Sequence, residues 1–107
     1  MENLNEKFGK LELEKIEFGG IAHGSNYYSQ ELIYRKEVIG TNLVRSKGFL
    51  NPLIDKFYTI AKETDENKRL CDGFEESEDI GYLCVYWETL EGFANNWHKI
   101  DNDGIEL

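Results

Sequence analysis

The residues whose types could do chemistry are His23 and His98, Cys71 and Cys84, the serines at 25, 29, 46 and 77, and a dense set of carboxylates. A metal site would need more than His23, His98 and scattered acids, and no HxxxH, CxxC or HxE spacing occurs. No metal and no cofactor is therefore expected. "HKIDNDGIEL" contains Asp101, Asp103 and Gly104 in a calcium-loop-like order. With Gly104 at the sixth position, however, the first ligand would be Lys99, a cation, and the twelfth would fall past Leu107. A turn accounts for it better. Nucleophilic catalysis lacks an anchor: there is no GxSxG, and only Ser25 has a histidine nearby, His23, in a glycine-rich stretch. No GxGxxG or GxxxxGK[ST] loop is present for a nucleotide. No catalytic residue is assigned.

The carboxylates remain. Formal net charge is −9, and all of it comes from one half of the chain. Residues 1–50 hold seven acids against seven Lys/Arg, and residues 51–107 hold fourteen against five. From Cys71 to Phe93 there are seven acids and no Lys or Arg. A negative field repels nucleic acid, so direct DNA or RNA binding is not expected. Such a field either keeps the protein soluble or meets a basic protein partner. Asp72, Glu75, Glu76, Glu78 and Asp79 are the candidate binding residues, with Tyr82, Tyr86 or Trp87 as aromatic anchors if they are exposed. Paired carboxylates in a polar loop have no burial to raise a pKa, so acid catalysis is not expected of them.

These residues must be positioned by a small domain. A chain of 107 residues suits one domain with one core, and a single proline and the lack of any repeat give no sign of a linker. No apolar run approaches a membrane span, the first twenty residues lack a signal peptide's apolar segment, and two cysteines are too few for a secreted disulfide scaffold. A cytoplasmic location is the expectation. Glycines at 19, 20, 24, 40, 48, 73, 81 and 104 punctuate the chain as turn markers.

Asn51-Pro52 is a helix-start signal, and Leu53, Ile54, Phe57, Ile60 and Ala61 recur at helical spacing, which predicts a helix over 52–63. Lys68 to Phe74 and Ile80 to Trp87 read as a hairpin around a polar loop at 75–79; a loop centred on 77 and 78 would set Cys71 opposite Cys84, either bridged as a disulfide or, as a cytosolic protein favours, as a reduced pair. In the second strand Tyr82, Cys84 and Tyr86 share one face, and Leu83, Val85 and Trp87 the other, as a central strand requires. Leu90, Phe93, Ala94 and Trp97 then predict an amphipathic helix begun by Glu88 or Thr89, so packing accounts for the aromatics between 82 and 97. Lys10 to Phe18 reads as a strand with a phase slip. Glu31 to Ile39 fits either period, with Ser29 as a cap favouring helix.

"GSNYYSQELIYRKEVIG", residues 24–40, resembles the first helix of some GNAT acetyltransferases, but the family's Q/R-x-x-G-x-G/A acyl-CoA loop has no counterpart. Residues 52–99 look like the later part of antibiotic-biosynthesis-monooxygenase-type domains. Trp87, Glu88, Thr89, Glu91 and Phe93 match their W-E-[ST]-x-E-x-F step into the last helix. That resemblance implies a ferredoxin-like domain that dimerises into an α/β barrel and binds a small apolar ligand. The fold expected from the residues themselves is a single small α+β domain, mainly antiparallel sheet with two or three helices packed on one face. The function expected first is that of a small acidic inhibitor or immunity-type protein. It would act as a nucleic-acid mimic, blocking the basic surface of a nuclease, toxin or other nucleic-acid-processing protein.

Overall fold

Period-two burial governs more of this chain than its helical spacings suggest. The computed structural model describes residues 7–24, 27–46 and 53–103, so Ser25, Gly48, the Asn51-Pro52 signal and Gly104 lie outside it. Six strands form one sheet: β1 (Glu17–His23), β2 (Tyr27–Tyr34), β3 (Glu37–Ser46), β4 (Leu53–Lys62), β5 (Gly73–Glu76) and β6 (Tyr82–Trp87). Their order is β1-β2-β3-β4-β6-β5, with every neighbouring pair antiparallel. Two α-helices are described, α1 (Asp65–Leu70) between β4 and β5, and α2 (Leu90–Asn96) after β6. The arrangement is α+β and mainly sheet. Among the described residues no helix is long and apolar enough to cross a membrane.

The expected helix over 52–63 is a strand. Phe57, Thr59 and Ala61 on one side of β4 are buried, while Lys56, Tyr58 and Lys62 on the other are half-buried and Ile60 is exposed. Apolar residues stand on both faces, so a helical spacing can be picked out of a two-sided strand. Phe57-Tyr58-Thr59-Ile60 is an aromatic and β-branched run that suits a pleated surface. The helix favoured over 31–39 is also absent, and with it the GNAT-like first helix. Ser29 lies within β2, and β2 turns into β3 at Arg35 and Lys36, whose φ angles are +49° and +68°. Two positive φ values make the tight mirror-image turn that matches strand twist, yet neither residue is the Asn or Gly that announces it.

The other departures are local. Leu13–Lys15 is a 3-10 turn, and the strand expected from Lys10 begins only at Glu17. Residues 68–70 end α1 instead of extending a strand. Glu75 and Glu76 belong to β5, so the loop is shorter than 75–79 suggests. The register places Glu75 opposite Cys84, and Cys71 precedes the strand, so the two free cysteines do not face each other. Gly19 and Gly20 lie inside β1, and Gly40 and Gly73 inside strands. At Gly40 the reason is close approach, since a Cβ would stand 2.6 Å from the Tyr58 carbonyl oxygen and 3.0 Å from the Phe93 ring. A ferredoxin-like domain alternates strands and helices as βαββαβ. Here β1 to β4 follow one another with no described helix between them.

The segment from 82 to 99 folds as its pattern predicts. Leu83, Val85 and Trp87 are essentially inaccessible, and β6 lies between β4 and β5. Thr89 Oγ1 accepts from Gly92 N at 3.0 Å and caps α2. Phe93, Ala94 and Trp97 close over the core, where Trp87 and Phe93 meet edge to face at 5.4 Å. Trp87 Nε1 donates to the Leu70 carbonyl at 2.9 Å, and Trp97 Nε1 to the Ile39 carbonyl at 3.0 Å. Each fully buried aromatic is worth about 1.5–3 kcal/mol of transfer free energy, and its N–H retains an acceptor.

Candidate functional site

With α2 covering β4 and β6 from one side, the opposite face of the sheet carries Lys56, Tyr58 and Ile60 of β4 and Tyr82, Cys84 and Tyr86 of β6. Part of this face forms a concavity of about 320 Å³ whose wall includes Tyr27, Tyr58 and Tyr86, each on a different strand, together with Lys56, Glu75 and Cys84. Tyr27 on β2 and Glu75 on β5 are four strand positions apart. In a flat sheet that would be about 19 Å at a strand spacing of ~4.8 Å. Long side chains shorten that span, and sheet twist together with the bulges in β2–β3 and β3–β4 favours a concave face.

Tyr86 is the best-placed of the three. Its ring lies across Gly73 on β5, where a Cβ would collide with the phenol, so glycine is what lets the ring lie down. The ammonium of Lys56 stands 4.4 Å from the ring centroid, within cation–π range. Tyr58 pairs across the ladder with Thr41. Burial raises its phenol above the ordinary value, and the Thr41 hydrogen bond opposes that rise.

Between Lys56 and Glu75 lies Cys84, whose thiol is pushed up to about 11, first by burial and then by the Glu75 carboxylate, with Lys56 opposing. The thiolate fraction is then roughly a hundredfold lower at pH 8 than for an ordinary cysteine, which makes Cys84 a poor nucleophile. In a Cys71→Ser variant, iodoacetamide should label Cys84 slowly at pH 8, at a rate still climbing above pH 10, and Glu75→Gln should speed the reaction. A labelling rate that levels off near pH 8 would contradict this environment.

The candidate acids divide by role. Asp72 accepts from Glu88 N at 2.9 Å, and its own N–H donates to the Tyr86 carbonyl at 3.0 Å, so it helps to close the start of β5 against the end of β6. Glu75 points to the open face beside Cys84, while Glu76 points to the opposite face. Glu78 and Asp79 lie in the turn that ends at Gly81, which is drawn in by Ser77 N to Tyr82 O at 3.2 Å and Tyr82 N to Asp79 O at 3.3 Å. All five are exposed, and none makes an ion pair among the described residues. Elsewhere Glu12, Glu63, Glu66 and Asp101 pair with Lys15, Lys68, Arg69 and Lys62. Tyr86 lines the concavity. Tyr82 shares its face but not its wall, and Trp87 is 1% exposed and belongs to the core.

The histidines are not brought together. His23 is exposed on β1 and packs edge to face on Tyr28, at 4.8 Å. His98 lies in the 3-10 turn after α2, its imidazole held below the ordinary value by burial and by the charges of Lys99 and Lys10. Among the described residues no three His, Cys, Asp or Glu side chains gather as metal ligands would. Tyr27, Lys56 and Tyr58 escaped the sequence reading. The signal for the latter two was alternation through 56–61, hidden by the helical spacing of the same segment. No family model, curated protein or solved structure matches the chain.

Proposed function

We propose that this is a stoichiometric binding protein that docks a basic protein along its acidic edge, in the manner of an inhibitor or immunity protein occupying a nucleic-acid-binding surface. One observation carries the reading: Glu75, Glu76, Glu78 and Asp79 stand exposed side by side along β5 and its turn, with no ion pair to them among the described residues and no Lys or Arg anywhere from Cys71 to Phe93 to offset them. Through Glu75 this edge runs into the tyrosine-lined concavity, which provides the aromatic surface a protein interface favours beside its charged rim. Carboxylates in such a position steer a basic partner and make association sensitive to salt.

The test is retention of a basic protein by the full chain at low ionic strength and its release at high salt. It is repeated with a variant in which Glu75, Glu76, Glu78 and Asp79 are all Lys. The variant should bind about a hundredfold more weakly or worse, chiefly through slower association. Equal retention by both chains would remove the acidic edge from the interface. A second reading, a small-ligand site, is supported by the concavity's size, which lies in the range small molecules occupy. It predicts tyrosine responses to small aromatic compounds and no salt-sensitive protein partner.

A further inference from the structure

We infer that the tyrosine-lined concavity is a socket for an arginine side chain of the basic partner, with Lys56 as the cation that occupies part of it in the free protein; this rests on the docking reading above. Tyr27, Tyr58 and Tyr86 line it from three strands, and Glu75 adds a carboxylate at the wall. Aromatic faces with a flanking carboxylate select a cation. Lys56 already shows this selection: its ammonium lies 4.4 Å from the Tyr86 centroid although the side chain starts on β4, one strand away.

The same features argue against other guests. An anion would meet Glu75 and a chain of net charge −9. A purely apolar guest would strip water from Lys56 and Glu75 with nothing in return. Among cationic side chains arginine fits best, because a guanidinium is planar, stacks on rings, is weakly hydrated and can take two hydrogen bonds from one carboxylate. On entry the guanidinium takes the Tyr86 face and pairs with Glu75, and Lys56 swings out toward solvent. Glu75 thus links the socket to the acidic edge.

The experiment is an NMR titration of the full chain with N-acetyl-arginine amide, with N-acetyl-citrulline amide as its neutral isostere, read at the rings of Tyr27, Tyr58 and Tyr86. Arginine amide should shift these rings saturably, and citrulline amide should bind about two- to fivefold more weakly or not at all. Lys56→Met should tighten arginine binding by a similar factor, because it removes both the resident cation and a like charge. Glu75→Gln should weaken it. Equal binding of the two amides, weaker arginine binding by Lys56→Met, or unmoved tyrosines would each overturn the socket. A basic protein still retained when Tyr86→Leu and Lys56→Met leave its affinity unchanged would also remove the socket, and would leave the docking reading intact. Saturable arginine binding with no protein retained would overturn the docking reading, and with it the assignment of the occupant to a partner.

Discussion

Replacing Asn67 with Asp should cost about 3–5 kcal/mol of stability at neutral pH, far more than one atom's change suggests. The side chain is completely buried. Its Nδ2 donates to the carbonyls of Lys62 and Asp101, both at 2.8 Å, and its Oδ1 accepts from Asp101 N at 2.9 Å. Its backbone N–H donates to Thr64 Oγ1 at 3.0 Å, capping α1. One amide thus ties the end of β4, the first turn of α1 and the segment after the last 3-10 turn. A carboxylate can accept the Asp101 N–H but cannot donate to two carbonyls, so it faces their oxygens with like charge and no solvent.

The sign with pH follows from that environment. Burial against two carbonyl oxygens raises the new carboxyl's folded pKa above its unfolded value of about 3.9. Between those two pKa values the folded state binds more protons, so stability falls as pH rises through that window. Below about pH 4 the carboxyl is protonated in both states, and the defect shrinks to lost hydrogen bonds. Urea unfolding of the natural chain and the variant at pH 4 and pH 7 measures this directly. Asn67→Leu serves as control, since it leaves the same carbonyls unpaired but adds no titrating group. A deficit of equal size at both pH values in the Asp variant would show that water reaches this site.

What could be read from residue order depended on whether each face carried a single signal. β6 and α2 were legible because Leu83, Val85 and Trp87 alternate cleanly, and Thr89 then caps a helix whose apolar stripe is unbroken. β4 was not, because its outer face carries Tyr58 and Ile60 while its inner face includes Thr59, which blurs the period of two. The Arg35-Lys36 turn was hidden for a different reason: residues other than Gly or Asn hold positive φ there, so composition gives no warning. α1 was missed, its last residues being read as the start of a strand, although a signal was present. Thr64 followed by Asp65 and Glu66, with Lys68 and Arg69 closing, is a cap and a dipole-matched charge order, although its six residues carry too little apolar periodicity to stand out. The acidic edge was legible as composition alone. The concavity was not, because it joins side chains of β2, β3, β4, β5 and β6 through strand order and bulged registers that single-strand patterns do not encode.

Trp97→Phe should cost about 2–4 kcal/mol, and Trp97→Ala about 3–5 kcal/mol or more, a large share of a stability that for a domain of this size is about 5–15 kcal/mol. Trp97 is inaccessible, with Phe93 stacked at 6.5 Å and Phe8 at 6.3 Å between ring centroids. Phenylalanine fills much of that space but loses the indole N–H, and the acceptor it serves is the carbonyl of Ile39. Ile39 is where the β2–β3 register slips, Leu32 pairing with Gly40 and Ile33 with Val38. The additional residue of a bulge stands outside the ladder, and here the indole reaches across from the helical layer to its carbonyl. The consequence extends to the other face of the sheet. One added residue in β3 reverses its alternation, so Asn42 faces the core while Thr41 and Leu43 face the open side of the sheet, where Leu43 lines the concavity. Trp97 therefore supports the open face from behind. In Trp97→Phe, amide exchange at Gly40 through Leu43 should quicken along with the loss measured by urea unfolding. A loss below about 0.5 kcal/mol with unchanged exchange would show that the bulge holds without the indole, because a buried carbonyl left without a donor costs about 1–3 kcal/mol.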